Sequence, residues 1–268
     1  MNCREKILSE NYHDFIVSDI RMPFLQDMLE KDCCLQNPGF FYQCAYLSKS
    51  VIKPVSLENY SYFSIPKCYS LLSMQALNQA GILPIQNHST IQLSGKQVMI
   101  GFLDTGIDYQ NPVFQHLDKT TRIAGIWDQT IQSGTPPESF DYGSHYTPDM
   151  INEALASEDP YSLVPSVDNN GHGTFLASIA AGSGDPDAQF IGAAPESVIA
   201  VVKLKQAKQY LRDYYFIPNT APAFQENDIM LGMRYLHLLA EKLGLPLIFC
   251  LALGSNLGGH SGSLPLSI

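Results

Sequence analysis

No stretch of this 268-residue sequence is long and apolar enough to span a bilayer, which takes about 20 mostly apolar residues. The longest apolar run, residues 245–253, is short and contains Pro246. Basic residues are scarce. Sixteen Lys and Arg stand against 26 Asp and Glu, a net charge of −10. Nucleic acid and anionic membranes are bound through basic patches, so neither is expected as a partner. The six Cys show no C-x-x-C spacing, so no zinc framework is expected. The first residues, Met1-Asn2-Cys3-Arg4-Glu5-Lys6, carry an early Glu and no apolar segment. They do not read as a signal peptide. The default location is then cytoplasmic, and the Cys are expected to be reduced and mostly buried. There is no internal repeat and no low-complexity segment.

What is present suits a sizeable core: 45% hydrophobic residues and 16% charged. Residues 1–70 stand apart as an N-terminal extension that holds five of the six Cys and many aromatics. Strands are predicted at 12–17 and 40–51, with a helix at 23–31 between them. Pro54 and Pro66 mark a linker. The second unit, residues 71–268, opens on a predicted helix at 71–80. It then alternates strands (98–104, 122–128, 198–204, 247–253) with helices (147–157, 172–181). Residues 129–168 are an insertion, and 205–225 a loop. The last helix starts with Asn227 or Asp228 as its cap. It carries Ile229, Met233, Leu236, Ala240 and Leu243 on one stripe and stops at Gly244. Strands that read as continuous apolar runs between helices predict an α/β fold, with a doubly wound, mainly parallel sheet covered on both faces.

Two short segments carry chemistry. Asp104 ends the strand at 98–104 and is followed by Thr105-Gly106-Ile107-Asp108. Sites in such folds assemble at this edge of the sheet. His172 sits in Asn170-Gly171-His172-Gly173-Thr174, a glycine-flanked turn that opens a helix. Taken singly, each is as readily an ordinary turn. Together they suggest a carboxylate that fixes the tautomer of an imidazole, leaving its other nitrogen to move a proton. A D-T-G segment also occurs in aspartic proteases, but those need two carboxylates sharing a proton, and this chain has one D-T-G.

The two motifs resemble the Asp and His motifs of the subtilisin-like serine proteases, the subtilases. Ile191-Gly192-Ala193-Ala194-Pro195, with the strand after it, resembles that family's G-x-A-P segment. Residues 250–254 are similar to the strand that pairs with an extended substrate. The resemblance covers roughly residues 82–260. It implies a subtilisin-like fold, a peptide or protein substrate, Asp104 and His172 as catalytic residues, and Leu251, Ala252, Leu253 and Gly254 as substrate-binding residues. The 129–168 insertion and the long loop before Glu226 look like the clostridial branch, which includes germination proteases of spore-formers. That branch implies a spore-associated location. Residues 1–70 are then either a short propeptide or an integral extension. Structural calcium, frequent in the family, has Asp185 and Asp187 as candidates, although two carboxylates fall well short of its usual six to eight oxygens. No metal ligand and no cofactor is assigned, and oligomeric state is not legible.

One part of the family pattern is missing. The nucleophile belongs in a G-T-S-x-A turn, and none occurs here. Ser255, Ser261 and Ser263 follow the substrate strand too closely, and Asn256 is misplaced as an oxyanion donor. Losing the nucleophile costs about 10⁶ in turnover, so these residues alone are expected to lack triad chemistry. The sequence reads as the front portion of a protease, cut before the nucleophile helix. The alternative is a non-catalytic relative that keeps the fold and the peptide groove.

Overall fold

The computed structural model describes residues 2–18, 32–39, 41–71, 93–184 and 191–254. The helix expected at 23–31 lies outside these residues, as does all but Leu71 of the one expected at 71–80.

The N-terminal unit starts with helix Cys3–Leu8 (α1). Asn2 caps it through a reciprocal box with Glu5. Strands Tyr12–Ser18 (β1), Cys33–Gly39 (β2) and Tyr42–Ser48 (β3) form an antiparallel sheet of order β1-β3-β2. The second of these was not foreseen. Pro38 and Gly39 end it in a tight return to β3, and such residues argue against a strand when read in isolation. The expectation of six reduced Cys is also corrected. Cys3 and Cys34 form a disulfide across a Cα–Cα distance of 5.5 Å, joining α1 to β2. Folding brings together two residues 31 positions apart, which spacing alone does not reveal. The last strand of this region is Cys68–Leu71 (β4).

The second unit is built on a five-stranded sheet. Its members are Met99–Asp104 (β5), Ile123–Asp128 (β6), Ser144–Tyr146 (β7), Val198–Lys203 (β8) and Leu247–Cys250 (β10). The short strand Phe224–Gln225 (β9) lies outside it. The order is β10-β5-β8-β6-β7, and every pairing is parallel except that of β6 with β7. This is the mainly parallel α/β architecture expected from the apolar runs. Alternation along β5 explains the layers. Met99 and Leu103 enter one core cluster, with Ile229 and Leu236. Ile100 and Phe102 enter the other, with Ala177 and Ala181. Two-residue periodicity therefore sends Asp104 to the face of Ile100 and Phe102.

Helices Pro148–Ala156 (α2) and Pro160–Leu163 (α3) occupy the insertion. Thr147 caps α2 through Met150 N. Helix His172–Ala181 (α4) covers one face of the sheet with small residues, and helix Glu226–Leu243 (α6) covers the other. Four details depart from expectation. The 205–225 loop holds a helix, Gln209–Tyr214 (α5), as well as β9. Neither Asn227 nor Asp228 caps α6. Gln225 stands at the cap, and both residues are buried in the first turn, where Asp228 pairs with Lys205 at 2.6 Å. On the expected stripe, Leu243 is exposed and Met233 only half-buried. The segment 247–253 was read as one buried strand. It breaks after Cys250, and Ile248 (55%) and Phe249 (39%) are exposed because β10 has a single neighbour, β5, among the described residues.

The two units share a polar seam. Buried Asp14 on β1 pairs with Lys208 and accepts hydrogen bonds from Gln225 Nε2 (2.7 Å) and Asn227 Nδ2 (3.1 Å). Tyr210 Oη accepts from Asp14 N and donates to Asp14 O. Next to them His13 stacks on Tyr210, with ring centroids 3.8 Å apart, and both its nitrogens are buried without hydrogen-bond partners among the described residues. Burial lowers its pKa to about 4; the Lys49 and Lys208 charges add to this and Asp14 opposes it. A depressed folded pKa means that the unfolded chain binds the proton first. His13 should therefore cost nothing above about pH 6.5, and the protein should lose stability as pH falls from there towards about 4. His13→Phe keeps the ring stack and cannot titrate. Urea unfolding at a series of pH values should show a shallower acid slope for the variant over that window.

Candidate active site

Asp104 and His172 meet at the C-terminal edge of the sheet. Periodicity in β5 turns Asp104 towards α4, and α4 begins at His172. Gly171, the residue before the helix, has φ +83°, a left-handed conformation that favours glycine. Gly173 solves a packing problem. A Cβ there would lie 2.2 Å from Gly106 O and 3.2 Å from Asp104 Cβ. The helix can approach the Asp turn this closely only because that atom is missing. Gly173→Ala should cost about 1–3 kcal/mol through overpacking and push His172 away from Asp104. Thermal unfolding with NMR of the imidazole would measure both effects. An alanine variant with unchanged stability and spectrum would contradict this reading of the contact.

His172 Nδ1 lies 2.8 Å from Asp104 Oδ1. The carboxylate can only accept, so Nδ1 is the donor and the neutral ring carries its lone pair on Nε2. Thr105 N also donates to Oδ1, at 2.7 Å. Asp104 is 1% exposed, and its Oδ2 is buried with no hydrogen-bond partner among the described residues. Burial pushes the Asp104 carboxyl above its ordinary pKa, and the hydrogen bonds from His172 and Thr105 only partly offset this. The His172 side chain is 15% exposed. The arrangement can hold one imidazole tautomer and stabilise a positive charge on the ring, which is what proton transfer to and from a nucleophile requires.

The other expected residues are placed differently. Leu253–Gly254 (β11) forms a short strand, while Leu251 and Ala252 lie outside any strand. β11 is paired with the chain's own β4: Leu253 opposite Leu71, Gly254 opposite Ser70. The other edge of β4 pairs with β9, giving an antiparallel sheet of order β11-β4-β9. Ser255, Asn256, Ser261, Ser263, Asp185 and Asp187 all lie outside the described residues. Among the described residues, no group of three His, Cys, Asp or Glu could hold a metal ion, and no helix is long and apolar enough to cross a membrane. Sequence reasoning missed Asp168, four residues before His172, which binds both turns. Its signal was the run Asp168-Asn169-Asn170-Gly171, whose residue types commonly fold back on their own backbone.

The model of the subtilase family matches residues 95–229. Subtilisin-like protease SBT2.2 of Arabidopsis thaliana is 32% identical over 131 residues, 42% of this chain and 15% of that protein. Subtilisin-like protease SBT2.3 of the same plant is 31% identical over 102 residues, 34% of this chain and 12% of that protein. The solved structure of the Clostridium perfringens CspB protease superposes with a TM-score of 0.56 at 34% identity, covering 69% of this chain and 34% of that one. The alignments thus span about a third or less of each relative. With a central sheet that matches a protease of this fold and a family match over half its length, the chain belongs to the subtilase family.

Proposed function

We propose that this chain carries the acid–base half of a serine-type endopeptidase of the subtilisin family. The contact of His172 Nδ1 with Asp104 Oδ1 carries the reading. His172 takes the proton of a nucleophilic Ser as that oxygen attacks the peptide carbonyl, then returns a proton to the leaving amine. Asp104 orients the ring and stabilises the imidazolium. The substrate is an extended segment of a peptide or protein that adds as a strand beside residues 251–254. In this reading residues 1–70 are a propeptide-like unit. The pairing of β4 with both β11 and β9 supports that, because β4 lies beside β11, where the proposed substrate strand would add. The likeness to the Clostridium perfringens protease supports the clostridial branch, and with it a cytoplasmic or spore-associated setting.

The 268 residues contain no G-T-S-x-A turn, so by themselves they should neither hydrolyse peptides nor react with a serine-directed phosphonate. A form of the protein that includes such a turn should be labelled, and His172→Ala should block the labelling. A folded form that includes the turn and is not labelled would refute the proposal. A second reading is a non-catalytic relative that binds peptides in the same groove. Peptide binding by a protein that is never labelled would be its signature.

A further inference from the structure

We infer that Asp168 is the positioning residue that sets the Asp104–His172 geometry, by clamping the Asp turn to the start of the His helix. This rests on the acid–base role proposed above. One carboxylate here accepts five hydrogen bonds. Its Oδ1 accepts from Thr105 Oγ1 (2.7 Å), Gly171 N (2.9 Å) and Asn170 N (3.2 Å). Its Oδ2 accepts from Thr174 N (2.8 Å) and Thr174 Oγ1 (2.7 Å).

The donors come from both sides of the pair. Thr105 follows Asp104 directly, and Gly171 and Thr174 bracket His172. The two hydroxyls close the circuit. Thr105 Oγ1 donates to Asp168 and accepts from Gly173 N at 3.0 Å. Thr174 Oγ1 donates to Asp168 and accepts from Asp108 N at 2.9 Å. Three of these links, Thr105 Oγ1 to Asp168, Gly173 N to Thr105 Oγ1 and Asp108 N to Thr174 Oγ1, run between the Asp turn and the start of the His helix, and none of them touches the imidazole itself.

The local sequence makes such a clamp necessary. Gly171 occupies the cap position of α4 and has no side chain to satisfy the free N–H groups there. Asp168 reaches in from four residues upstream, and a negative charge is favoured at that end of a helix. Burial raises the Asp168 carboxyl, but its hydrogen bonds outweigh this and hold it below the ordinary carboxylate pKa. It is therefore ionised at neutral pH and accepts through both oxygens. Asp168→Asn would turn one acceptor into a donor facing other donors, so one side of the clamp must open.

The test is NMR of the His172 ring in the intact chain, its signals assigned by their loss in His172→Gln. The readouts are the low-field Nδ1 proton and the ring's titration midpoint, and urea unfolding verifies that each variant folds. Asp104→Asn is the reference: it should abolish the Nδ1 proton and lower the midpoint by about one unit or more. Asp168→Asn and Thr105→Val should both lose the Nδ1 proton and move towards that reference, whereas Thr105→Ser, which keeps the hydroxyl, should match the parent. Thr105→Val matters because it leaves the Asp168 charge in place, so its effect is one of geometry. If Asp168→Asn does not fold, the contrast between Val and Ser at 105 decides. An Asp168→Asn and a Thr105→Val that keep the parent spectrum while Asp104→Asn loses it would overturn the inference and leave the proposed function intact. A parent spectrum that Asp104→Asn does not alter would instead refute the acid–base reading.

Discussion

Replacing His172 with Ala should lower kcat for peptide hydrolysis by about 10⁶, in a form of the protein that carries a nucleophilic Ser. The loss is this large because the triad acts as a unit. Without the imidazole the Ser keeps its proton, and what is left is peptide binding and any oxyanion stabilisation. Asp104→Asn should cost less, about 10⁴. The ring stays in place, but an amide facing Nδ1 favours the tautomer with its proton on Nε2, the nitrogen that must accept. KM should change little in either variant, since neither side chain lies along the paired strand. Steady-state kinetics on a peptide amide, with circular dichroism to verify folding, would measure this. A drop of less than tenfold for His172→Ala would remove His172 from the chemistry.

The second large effect concerns the seam between the two units. Asp14→Ala should destabilise the protein by about 3–5 kcal/mol, the usual result of removing one partner of a buried ion pair. That is a substantial share of the 5–15 kcal/mol typical of a folded domain. Lys208, whose side chain is 3% exposed, would be left as an unpaired buried ammonium, and Gln225 and Asn227 would each lose an acceptor. Burial already lowers the Lys208 pKa, with Asp14 opposing that shift. Removing Asp14 should leave desolvation to dominate, so Lys208 would tend to give up its proton. A double variant, Asp14→Leu with Lys208→Met, should recover most of the loss because both desolvated charges disappear. Urea midpoints of the single and double variants would decide. A cost below about 1 kcal/mol for Asp14→Ala would mean that the pair is solvated, as surface ion pairs are.

The parts of this protein that were legible in the sequence are those that local chemistry dictates. The strand ending at Asp104 and the helix starting at His172 announce themselves through apolar runs, glycine turns and small residues. Strand periodicity then determines which face Asp104 takes. What could not be read depends on distant partners. The pairing of Cys3 with Cys34 needs β2, a strand disguised by Pro38 and Gly39. Asp228 has the composition of a helix cap, yet a buried cation draws it inward, and one residue type serves both roles. The run 247–253 is apolar throughout, so nothing in its composition marks the break after Cys250, where the chain leaves β5 and Leu253 turns to β4. Asp168 was within reach, since it stands four residues from His172, but its role depends on Thr105, 63 residues upstream.

The Asp14 seam also has a consequence for the order of assembly. Its partners lie 194, 211 and 213 residues further along the chain. At a synthesis rate of roughly 5–20 residues per second, Asp14 waits on the order of 10–40 s for them to be made. Of the two units, the one made earlier is thus completed only after the later one has been made. Contacts of such long range are slow to form because loop closure comes before any gain from pairing. Until then β1 has only its local partner, β3, to pair with.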